Sequence, residues 1–288
     1  MRSVSREVLY GAILSVGCAN AFIRPVMTSV AENGWWAALA GGFGVSFVVW
    51  FAYGAAVAQM VRTEASALRP RDVGATLCAT IWFCVPSATL SWLGVGVLAL
   101  WVRYDKHTVE RAQAGAAIFA FLAFREPAAQ VLLNVFAETV LGLDAALVAL
   151  VLNAVNGEGS VIGNMVSGAN GHRLLVMTGC SSYTNVSLAL LGWYALTHTV
   201  GGHWNLRTYV AGFGVAVSVV VLNIVRLTLM GLGPDPYRFF HDGFGVDVFQ
   251  IGILTSTLLI TWWGLRHDTQ PSYRLRAFGR RLRTKSVG

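Results

Sequence analysis

Long apolar runs, separated by short polar segments, make up most of this chain. In the first half they cover about residues 8–23, 35–60, 73–102 and 108–124, and in the second half about residues 181–198, 209–230 and 247–265. A helix needs about 20 apolar residues to cross the hydrocarbon core of a bilayer, and most of these runs approach that length. The pattern therefore predicts an all-α polytopic membrane protein.

The run at about residues 73–102 decides how many spans are expected, because it is long for one helix and short for two. Basic residues flank both of its ends, with Arg69 and Arg71 before it and Arg103 after it. Cytoplasmic loops are rich in Arg and Lys, so both flanks are expected on the same side. We predict a helical hairpin that turns near Pro86, against the alternative of one tilted helix. The prediction is then about eight transmembrane helices, with both termini in the cytoplasm.

The first apolar run follows a short basic segment at residues 1–6, which imitates a signal peptide. The run shows no obvious small-residue cleavage site, so we predict that it is retained as the first helix. Pro25 is expected to end this helix, because proline cannot donate the next backbone hydrogen bond.

The region at residues 127–155 mixes apolar and polar positions. Gln130, Asn134 and Glu138 recur every four residues, so in a helix they share one face. We predict an amphipathic or partly inserted helix that lies on the outer membrane face, followed by a short helix that starts at Asp144. The alternative is an ordinary spanning helix with a polar stripe inside the bundle.

A β-hairpin is predicted from residues 160–167 and 172–178, which flank the turn signal Gly168-Ala-Asn-Gly171. A sheet with open edges is not stable in lipid, because its unpaired backbone groups have no water to bond. The hairpin is therefore expected at the water interface, where it leads directly to Cys180.

Composition and charge agree with a membrane protein. Only 12% of the residues are charged, about half the fraction of a soluble domain. The net charge of +7 reflects a cluster of basic residues in the segment 266–288, which is typical of a cytoplasmic anchor at an anionic lipid surface. We therefore predict no nucleic-acid partner and a multi-pass location in the cytoplasmic (inner) cell membrane. Residues 1–288 are expected to form a single membrane domain, with N-terminal spans at 1–124, a catalytic half at 125–265 and this cytoplasmic tail.

Cys180 is the cysteine with the most promising setting for chemistry. Cys18, Cys78 and Cys84 lie inside apolar runs, where cysteine behaves as a small hydrophobic residue. The cysteine and histidine spacings fit neither a zinc site nor a disulfide framework, so no metal or cofactor is predicted.

The start of a helix is a favourable place for a nucleophilic thiol. Cys180 follows Gly179 and precedes a polar first turn that begins with Ser181 and Ser182. Unpaired N–H groups and the positive dipole end stabilise a thiolate there, and the same groups stabilise an oxyanion. The alternative is a buried cysteine beside a serine-rich cap.

Arg226 is the second candidate, because a guanidinium within an apolar helix is costly and usually faces the bundle interior or water. Asn223 lies three residues earlier, on the same helical face. A fixed Arg suits an oxyanion or a substrate carboxylate. The alternatives are snorkelling to the outer interface and a structural ion pair with Glu138 or Asp144.

His241 is the candidate general base, because an imidazole takes a proton from a thiol near neutral pH and returns it to a leaving amine. It is expected in a polar loop next to Asp242, which is a candidate to orient the ring. His172, in the predicted hairpin near Cys180, is a reserve candidate. The charge-based topology puts Cys180, Arg226 and His241 together on the outer side.

The order of these motifs resembles that of the exosortase/archaeosortase family of membrane proteins. The matching segments are Gly179-Cys180-Ser181-Ser182, Asn223-Ile-Val-Arg226 and His241-Asp-Gly-Phe-Gly245, within a resemblance that covers about residues 124–265. The family has a Cys near the start of a late helix, Asn-x-x-Arg in the next helix and a His in the following outer loop. Ser182 departs from many members, which carry Gly after Cys-Ser.

The resemblance implies a membrane cysteine transpeptidase or protease. Its substrates would be exported proteins with a C-terminal sorting signal, which consists of a short motif, one apolar helix and basic residues. Cys180 would form a thioester, Arg226 would stabilise the oxyanion or position the substrate, and His241 would act as general base and acid. An amine on a membrane lipid or an envelope glycan would be the acceptor, and no cofactor is implied.

Other classes of function remain compatible with these residues. One is another membrane enzyme that uses Cys180, such as an acyltransferase or a purely hydrolytic intramembrane protease. A second is a transporter or channel, in which Arg226 binds an anion and Cys180 is structural. A third is a structural partner in an envelope polysaccharide system.

Overall fold

The structure, a computed structural model, describes residues 5–62, 66–157, 159–168 and 171–266. The described part is mainly helical, with one small antiparallel sheet. Its helices are α1 (Arg6–Ala40), α2 (Phe47–Val61), α3 (Pro70–Phe83), α4 (Ala88–Tyr104), α5 (Glu110–Val135), α6 (Ala137–Asn156), α7 (Ser182–Val200), α8 (Leu206–Gly231), α9 (Pro234–His241) and α10 (Phe244–Leu265). The strands are β1 (Ser160–Ile162), β2 (Met165–Ser167) and β3 (Arg173–Leu175).

Five helices in the described part of the chain are long and apolar enough to cross a membrane, namely α1, α5, α6, α8 and α10. Helices α2 and α4 are apolar but have only 15 and 17 residues. The prediction of a helical membrane protein is therefore supported. The predicted number of eight spans is not confirmed. The predicted basic tail at 266–288 lies outside the described residues, apart from Arg266.

The prediction that Pro25 ends the first helix is wrong, because α1 continues through this residue to Ala40. Apolar spanning helices tolerate proline where neighbouring groups satisfy the freed carbonyl. The helical geometry is instead interrupted at Gly34, whose φ of 75° is strained for residues with a Cβ. The predicted run 35–60 is divided, because α1 ends at Ala40 and α2 begins only after the cap residue Ser46, whose hydroxyl accepts the Val48 N–H.

The predicted helical hairpin at residues 73–102 is present as α3 and α4. Its turn contains Pro86, and Ser87 caps α4 by accepting the Leu90 N–H. Asn20 of α1 fixes the turn from inside, since its side-chain amide donates to the carbonyls of Phe83 and Val85, each at 3.0 Å.

The predicted organisation of residues 127–155 is wrong. Helix α5 continues past Pro127 to Val135, and a new helix starts after Phe136. Gln130 and Asn134 therefore belong to α5, whereas Glu138 lies in the first turn of α6, so the three do not share one helical face. Helix α6 is a 20-residue apolar helix and includes Asp144, which was predicted to begin a short helix.

The predicted hairpin is present as β2 and β3, with Val166 opposite Leu174. The first predicted strand, at residues 160–167, is divided into two strands. Its two parts, β1 and β2, pair antiparallel across the two residues Gly163 and Asn164. Gly163 has a φ of 59°, which a two-residue turn requires and which glycine adopts without strain. The predicted Asn-Gly turn lies partly outside the described residues. The sheet packs on α6 and leads into the 3-10 turn Thr178–Cys180.

Helix α7 joins two packing regions of the protein. Its Leu191 and Ala195 belong to the larger buried cluster, which is otherwise built by α1 to α5, with Phe83 as its buried residue from α3. Its other faces contact α8 and α10. A separate buried cluster joins α6, the sheet and α8, with Val166 and Leu227 fully enclosed. The segment that carries Cys180 lies between these regions.

A charged clamp, formed by Arg6, Asp72 and Asp105, joins α1 to α3 and to the loop after α4. The Arg6 guanidinium hydrogen-bonds the Asp105 carboxylate, and its Nε lies 3.0 Å from Asp72 Oδ1 at ion-pair distance, without hydrogen-bond geometry. Arg6 and Asp72 are fully buried, with 1% and 0% of their side chains exposed. Arg71 adds a contact of 2.9 Å to the Asp105 carboxylate. Loss of Arg6 would leave the buried Asp72 carboxylate without a cation, and loss of Asp105 would remove one of the two anions that hold the Arg6 guanidinium.

The clamp also makes stability depend on pH. Burial opposes ionisation of Asp105, but the His107 backbone N–H and the guanidinium groups of Arg6 and Arg71 outweigh it and lower the pKa of Asp105 below its ordinary value of 3.8. A carboxylate with a lower pKa in the folded state stabilises the protein above its unfolded pKa. This contribution disappears as the pH falls through the folded pKa.

We expect Asp105→Asn to lower the free energy of unfolding at pH 7 by about 3 kcal/mol, because the buried guanidinium of Arg6 loses an anionic partner. Thermal unfolding in detergent measures this loss, and the difference between variant and wild type should shrink as the pH falls below about 4. Asp235→Asn is the matched control, since Asp235 is 95% exposed and forms only a 3.9 Å pair with Arg238. Equal unfolding temperatures for the two variants at pH 7 would contradict a stabilising clamp.

Candidate active site

Cys180 ends the 3-10 turn Thr178–Cys180, two residues before the first residue of α7. Ser181 is the N-cap of that helix, and its hydroxyl accepts the Tyr183 N–H. The Cys180 side chain is half-buried and packs on the cluster that joins α6, the sheet and α8. The predicted position at the start of a helix is therefore close to the observed one.

The backbone N–H groups around Cys180 do not form the predicted oxyanion cradle. Four successive groups, from Cys180 to Tyr183, already donate to acceptors of the protein itself. The acceptors are, in chain order, the carbonyls of Met177 (2.9 Å) and Thr178 (3.3 Å), the Asp144 carboxylate (2.8 Å) and the Ser181 hydroxyl (3.1 Å). An oxyanion that forms here needs a donor from elsewhere.

Asp144 caps α7 from a neighbouring helix, a role that sequence reasoning missed. Its carboxylate, on α6, accepts the Ser182 N–H at 2.8 Å, and the residue is only 5% exposed. A negative charge at a helix N-terminus is favourable, which explains why this carboxylate tolerates burial. The sequence signal was an acidic residue in an apolar helix, but no spacing rule connects positions 144 and 182.

Asn223 holds the Cys180 turn against α8. Its side-chain amide donates to the Cys180 carbonyl at 2.9 Å and to the Ser182 hydroxyl at 3.0 Å. Its Oδ1 accepts from Asn185 at 3.3 Å, and the residue is 1% exposed. Both ends of this side chain are occupied by the protein, so Asn223 acts as a structural support of the turn.

Arg226 lies one helical turn after Asn223 on α8 and is half-buried. Its Nε donates to the Phe240 carbonyl at 3.0 Å. Among the described residues, its terminal nitrogen atoms have no hydrogen-bond acceptor, and neither of the proposed ion pairs, with Glu138 or Asp144, is formed. The guanidinium is thus held by one backbone carbonyl while its terminal N–H groups remain available.

His241 was predicted in a loop, but it is the last residue of the short helix α9. Its ring stacks on Tyr237, with ring centroids 4.8 Å apart and an interplanar angle of 14°. Its Nδ1 lies 2.7 Å from Asp242 Oδ1. An ionised carboxylate only accepts hydrogen bonds, so this contact assigns the proton to Nδ1 and leaves Nε2 free to take another.

The segments that carry the three predicted residues meet on one face of α8. Asn223 bonds the carbonyl of Cys180, and Arg226 bonds the carbonyl of Phe240, the residue before His241. Three residues along a helix correspond to a rise of about 4.5 Å, so these two docking points are neighbours. Cys180 and Phe240 also pack on the same buried cluster.

This meeting point lies at the end of the bundle opposite the charged clamp. The C-terminus of α7 is near the clamp, because Gln59 donates to the His198 carbonyl at 3.0 Å and accepts from Arg111, near the start of α5. Helix α7 has 19 residues and is therefore about 30 Å long. Cys180, just before its N-terminus, lies at the other end.

A cavity of about 400 Å³ opens at the same end as the Cys180 turn. Its walls come from α1, α2, α4, α5 and α7 and include the apolar residues Phe22, Val49, Trp92, Leu122 and Leu188. Its polar residues include Arg125, which contacts Glu126 at 3.0 Å and Ser187 at 3.3 Å. Thr184 also lines the cavity, and its hydroxyl donates to the Thr178 carbonyl in the Cys180 turn. No sequence pattern predicts this cavity, because five helices contribute to it.

No protein-family model, curated protein or solved structure matches this chain. Within the part of the chain that the structure describes, no three His, Cys, Asp or Glu side chains form a group suited to a metal ion. The family resemblance therefore depends on the three motifs, and the site depends on the contacts around α8.

We expect Asp144→Ala to lower the free energy of unfolding by about 1–2 kcal/mol, because the buried Ser182 N–H loses its acceptor. Asp144→Asn is the matched variant, since its side-chain carbonyl still accepts that N–H, and it should lose clearly less. Thermal unfolding in detergent compares the two variants. An Asn variant as unstable as the Ala variant would show that the hydrogen bond to α7 is unimportant.

Proposed function

We propose that this protein is a membrane-embedded cysteine transpeptidase or protease, similar to the exosortases and archaeosortases. In this proposal Cys180 is the nucleophile, Arg226 stabilises the oxyanion and His241 is the general base and acid. Asn223, Ser181, Ser182 and Asp242 support these three groups. The substrates are exported proteins that carry a C-terminal sorting helix.

The observation that carries the proposal is the arrangement on α8. Asn223 holds the Cys180 carbonyl, and one turn later Arg226 holds the Phe240 carbonyl beside His241. A half-buried guanidinium without a carboxylate partner among the described residues is costly unless a ligand uses it. A purely structural arginine would be expected to form the ion pair that is missing here.

The first chemical step is acylation of the thiol. His241 Nε2 takes the proton from the Cys180 thiol, and the thiolate attacks the scissile carbonyl carbon. The terminal N–H groups of Arg226 then stabilise the oxyanion, since the backbone N–H groups near Cys180 are already bonded. When the tetrahedral intermediate collapses, the C–N bond breaks and the leaving amine receives the proton from His241. The product is a thioester on Cys180.

The second step releases the substrate from the thiol. An amine on a membrane lipid or an envelope glycan attacks the thioester carbonyl, its proton passes to His241 and then to the sulfur, and the C–S bond breaks. Attack by water in place of the amine gives hydrolysis. Neither step needs a metal or an organic cofactor.

The distribution of basic residues supports an outward-facing site in the cytoplasmic membrane. Arg62, Arg71, Arg103 and Arg111 lie at the helix ends and loops on the side of the charged clamp, and cytoplasmic faces are rich in such residues. The Cys180 turn is at the opposite end of the bundle. The cavity beside this turn offers room for the part of the substrate that flanks the scissile bond.

We expect Cys180→Ala to reduce processing of a substrate with a C-terminal sorting helix by more than about a thousandfold, because no other group replaces the nucleophile. An immunoblot of cells that express substrate and enzyme measures the accumulation of uncleaved substrate. Cys84→Ala is the control, since Cys84 is exposed in the turn between α3 and α4. This variant should process the substrate as the wild type does.

The same experiment separates the proposal from a transporter or channel. In a transporter that uses Arg226 to bind an anion, the thiol is structural and Cys180→Ala retains function. Normal maturation of the substrate in cells with Cys180→Ala would therefore overturn the enzyme proposal.

We expect Arg226→Lys to lower kcat by about 100-fold, because one ammonium cannot bond the Phe240 carbonyl and an oxyanion with the geometry of a guanidinium. Turnover of a purified substrate in detergent gives kcat, and thermal unfolding shows whether the fold is intact. Arg238→Lys is the matched control, since Arg238 is 79% exposed on the neighbouring helix α9 and should keep wild-type turnover. Wild-type kcat for Arg226→Lys would argue against a role of the guanidinium fork in the transition state.

A further inference from the structure

Three aromatic rings connect helix α9 with the strand that leads to Cys180. The ring of Tyr237 contacts two imidazoles. It stacks on His241 with a centroid distance of 4.8 Å, and it meets His172 edge to face, with a centroid distance of 6.0 Å. Tyr237 also packs on the buried cluster that Cys180 contacts.

His172 belongs to the segment that carries the nucleophile. It immediately precedes β3, and after β3 the chain reaches the Cys180 turn within five residues. Its backbone carbonyl accepts the Gly168 N–H at 2.8 Å, which fixes it to the sheet. The His172 Nε2 is buried and has no hydrogen-bond partner among the described residues. The His172 ring contacts the ring of Tyr237. Tyr237 therefore joins the ring of His241 to the sheet that leads to Cys180.

Helix α9 has few other restraints on the direction of the His241 ring. It has eight residues, and none of them is buried. The bond from Arg226 to the Phe240 carbonyl fixes the backbone of α9 but not the imidazole. The Asp242 carboxylate bonds Nδ1, but its side chain is 72% exposed, so water competes for it. Tyr237 is the group that covers the face of the imidazole.

We propose that Tyr237 is a positioning residue, which holds the His241 imidazole in place for proton transfer with Cys180 and uses His172 as its support on the sheet. This proposal rests on the proposed function. Tyr237 acts through its ring, so it exchanges no proton with the substrate and its hydroxyl is not required. Loss of the Tyr237 ring should therefore impair proton transfer by His241, while the Cys180 thiol stays accessible.

The rate of thiol alkylation tests the proposal without any substrate. The background is the full chain with Cys78→Ser and Cys84→Ser, in which Cys180 is the accessible thiol because Cys18 is completely buried. Iodoacetamide is the probe, at pH 7 and at pH 9.5. At pH 7 the imidazole promotes ionisation of the thiol, whereas at pH 9.5 hydroxide ionises it without help.

We expect His241→Ala to be alkylated about tenfold more slowly than the background protein at pH 7, and Tyr237→Ala to be equally slow. Tyr237→Phe keeps the ring and should stay within about twofold of the background rate. The double variant Tyr237→Ala/His241→Ala should be no slower than His241→Ala alone, because both changes remove the same effect. At pH 9.5 all variants should react alike, which shows that the turn is intact. Asp144 and Arg226, the other charged groups that bond the elements around this turn, are unchanged throughout.

The proposal would be overturned if Tyr237→Ala were alkylated at pH 7 as fast as the background protein. It would also be overturned if the double variant were alkylated more slowly than either single variant. If Tyr237→Ala reacts abnormally at pH 9.5, Tyr237→Leu replaces it, since leucine keeps the apolar volume on the cluster but has no ring. His172→Leu is the independent check, and it should slow alkylation at pH 7 because Tyr237 loses its support. If both Leu variants were alkylated at pH 7 as fast as the background protein, the proposal would also be overturned.

The failure of the proposed function has a different signature from the failure of this inference. If the protein is not a cysteine enzyme, Cys180→Ala still processes the substrate, and His241→Ala is alkylated as fast as the background protein. If only the positioning role is wrong, His241→Ala is slow and Tyr237→Ala is not.

Discussion

The structure of this protein depends on how polar side chains are satisfied on one face of the apolar helix α8. A polar group among apolar helices has no water to bond, so the protein must supply its partners. Asn223 meets this demand by bonding the Cys180 carbonyl and the Ser182 hydroxyl, and Arg226 meets it in part, because its Nε bonds the Phe240 carbonyl. Because these partners come from separate segments, the same bonds that satisfy α8 also assemble the candidate site.

The charged clamp and the candidate site lie at opposite ends of the bundle. At one end, the buried charges of Arg6 and Asp72 are locked together with the loop after α4. At the other end, the short helix α9 packs on α8 and α10 but has no buried residue. Segments with few buried residues open at the lowest cost. Local opening is therefore expected at α9 before it is expected at the clamp.

Several elements followed from local rules that tertiary packing did not override. Basic flanks predicted the turn near Pro86, and an Asn-Gly signal predicted the pairing of β2 with β3, because charge placement and turn chemistry act over a few residues. The same kind of rule failed at Pro25, because α1 continues through a proline at which the local sequence predicts its end. It failed again at Glu138, because a four-residue spacing does not reveal that the helix ends at Val135.

The sequence by itself determined the membrane character, the presence of polar residues in apolar helices and the identity of Cys180, Arg226 and His241 as candidates, because each depends on residue type and local pattern. The tertiary structure decided which groups meet. Asp144 caps α7 across 38 residues of chain, and the ring of Tyr237 contacts two imidazoles from different segments. No periodicity in the sequence predicts either contact, because long-range contacts arise from how helices pack and not from the spacing of residues along one helix.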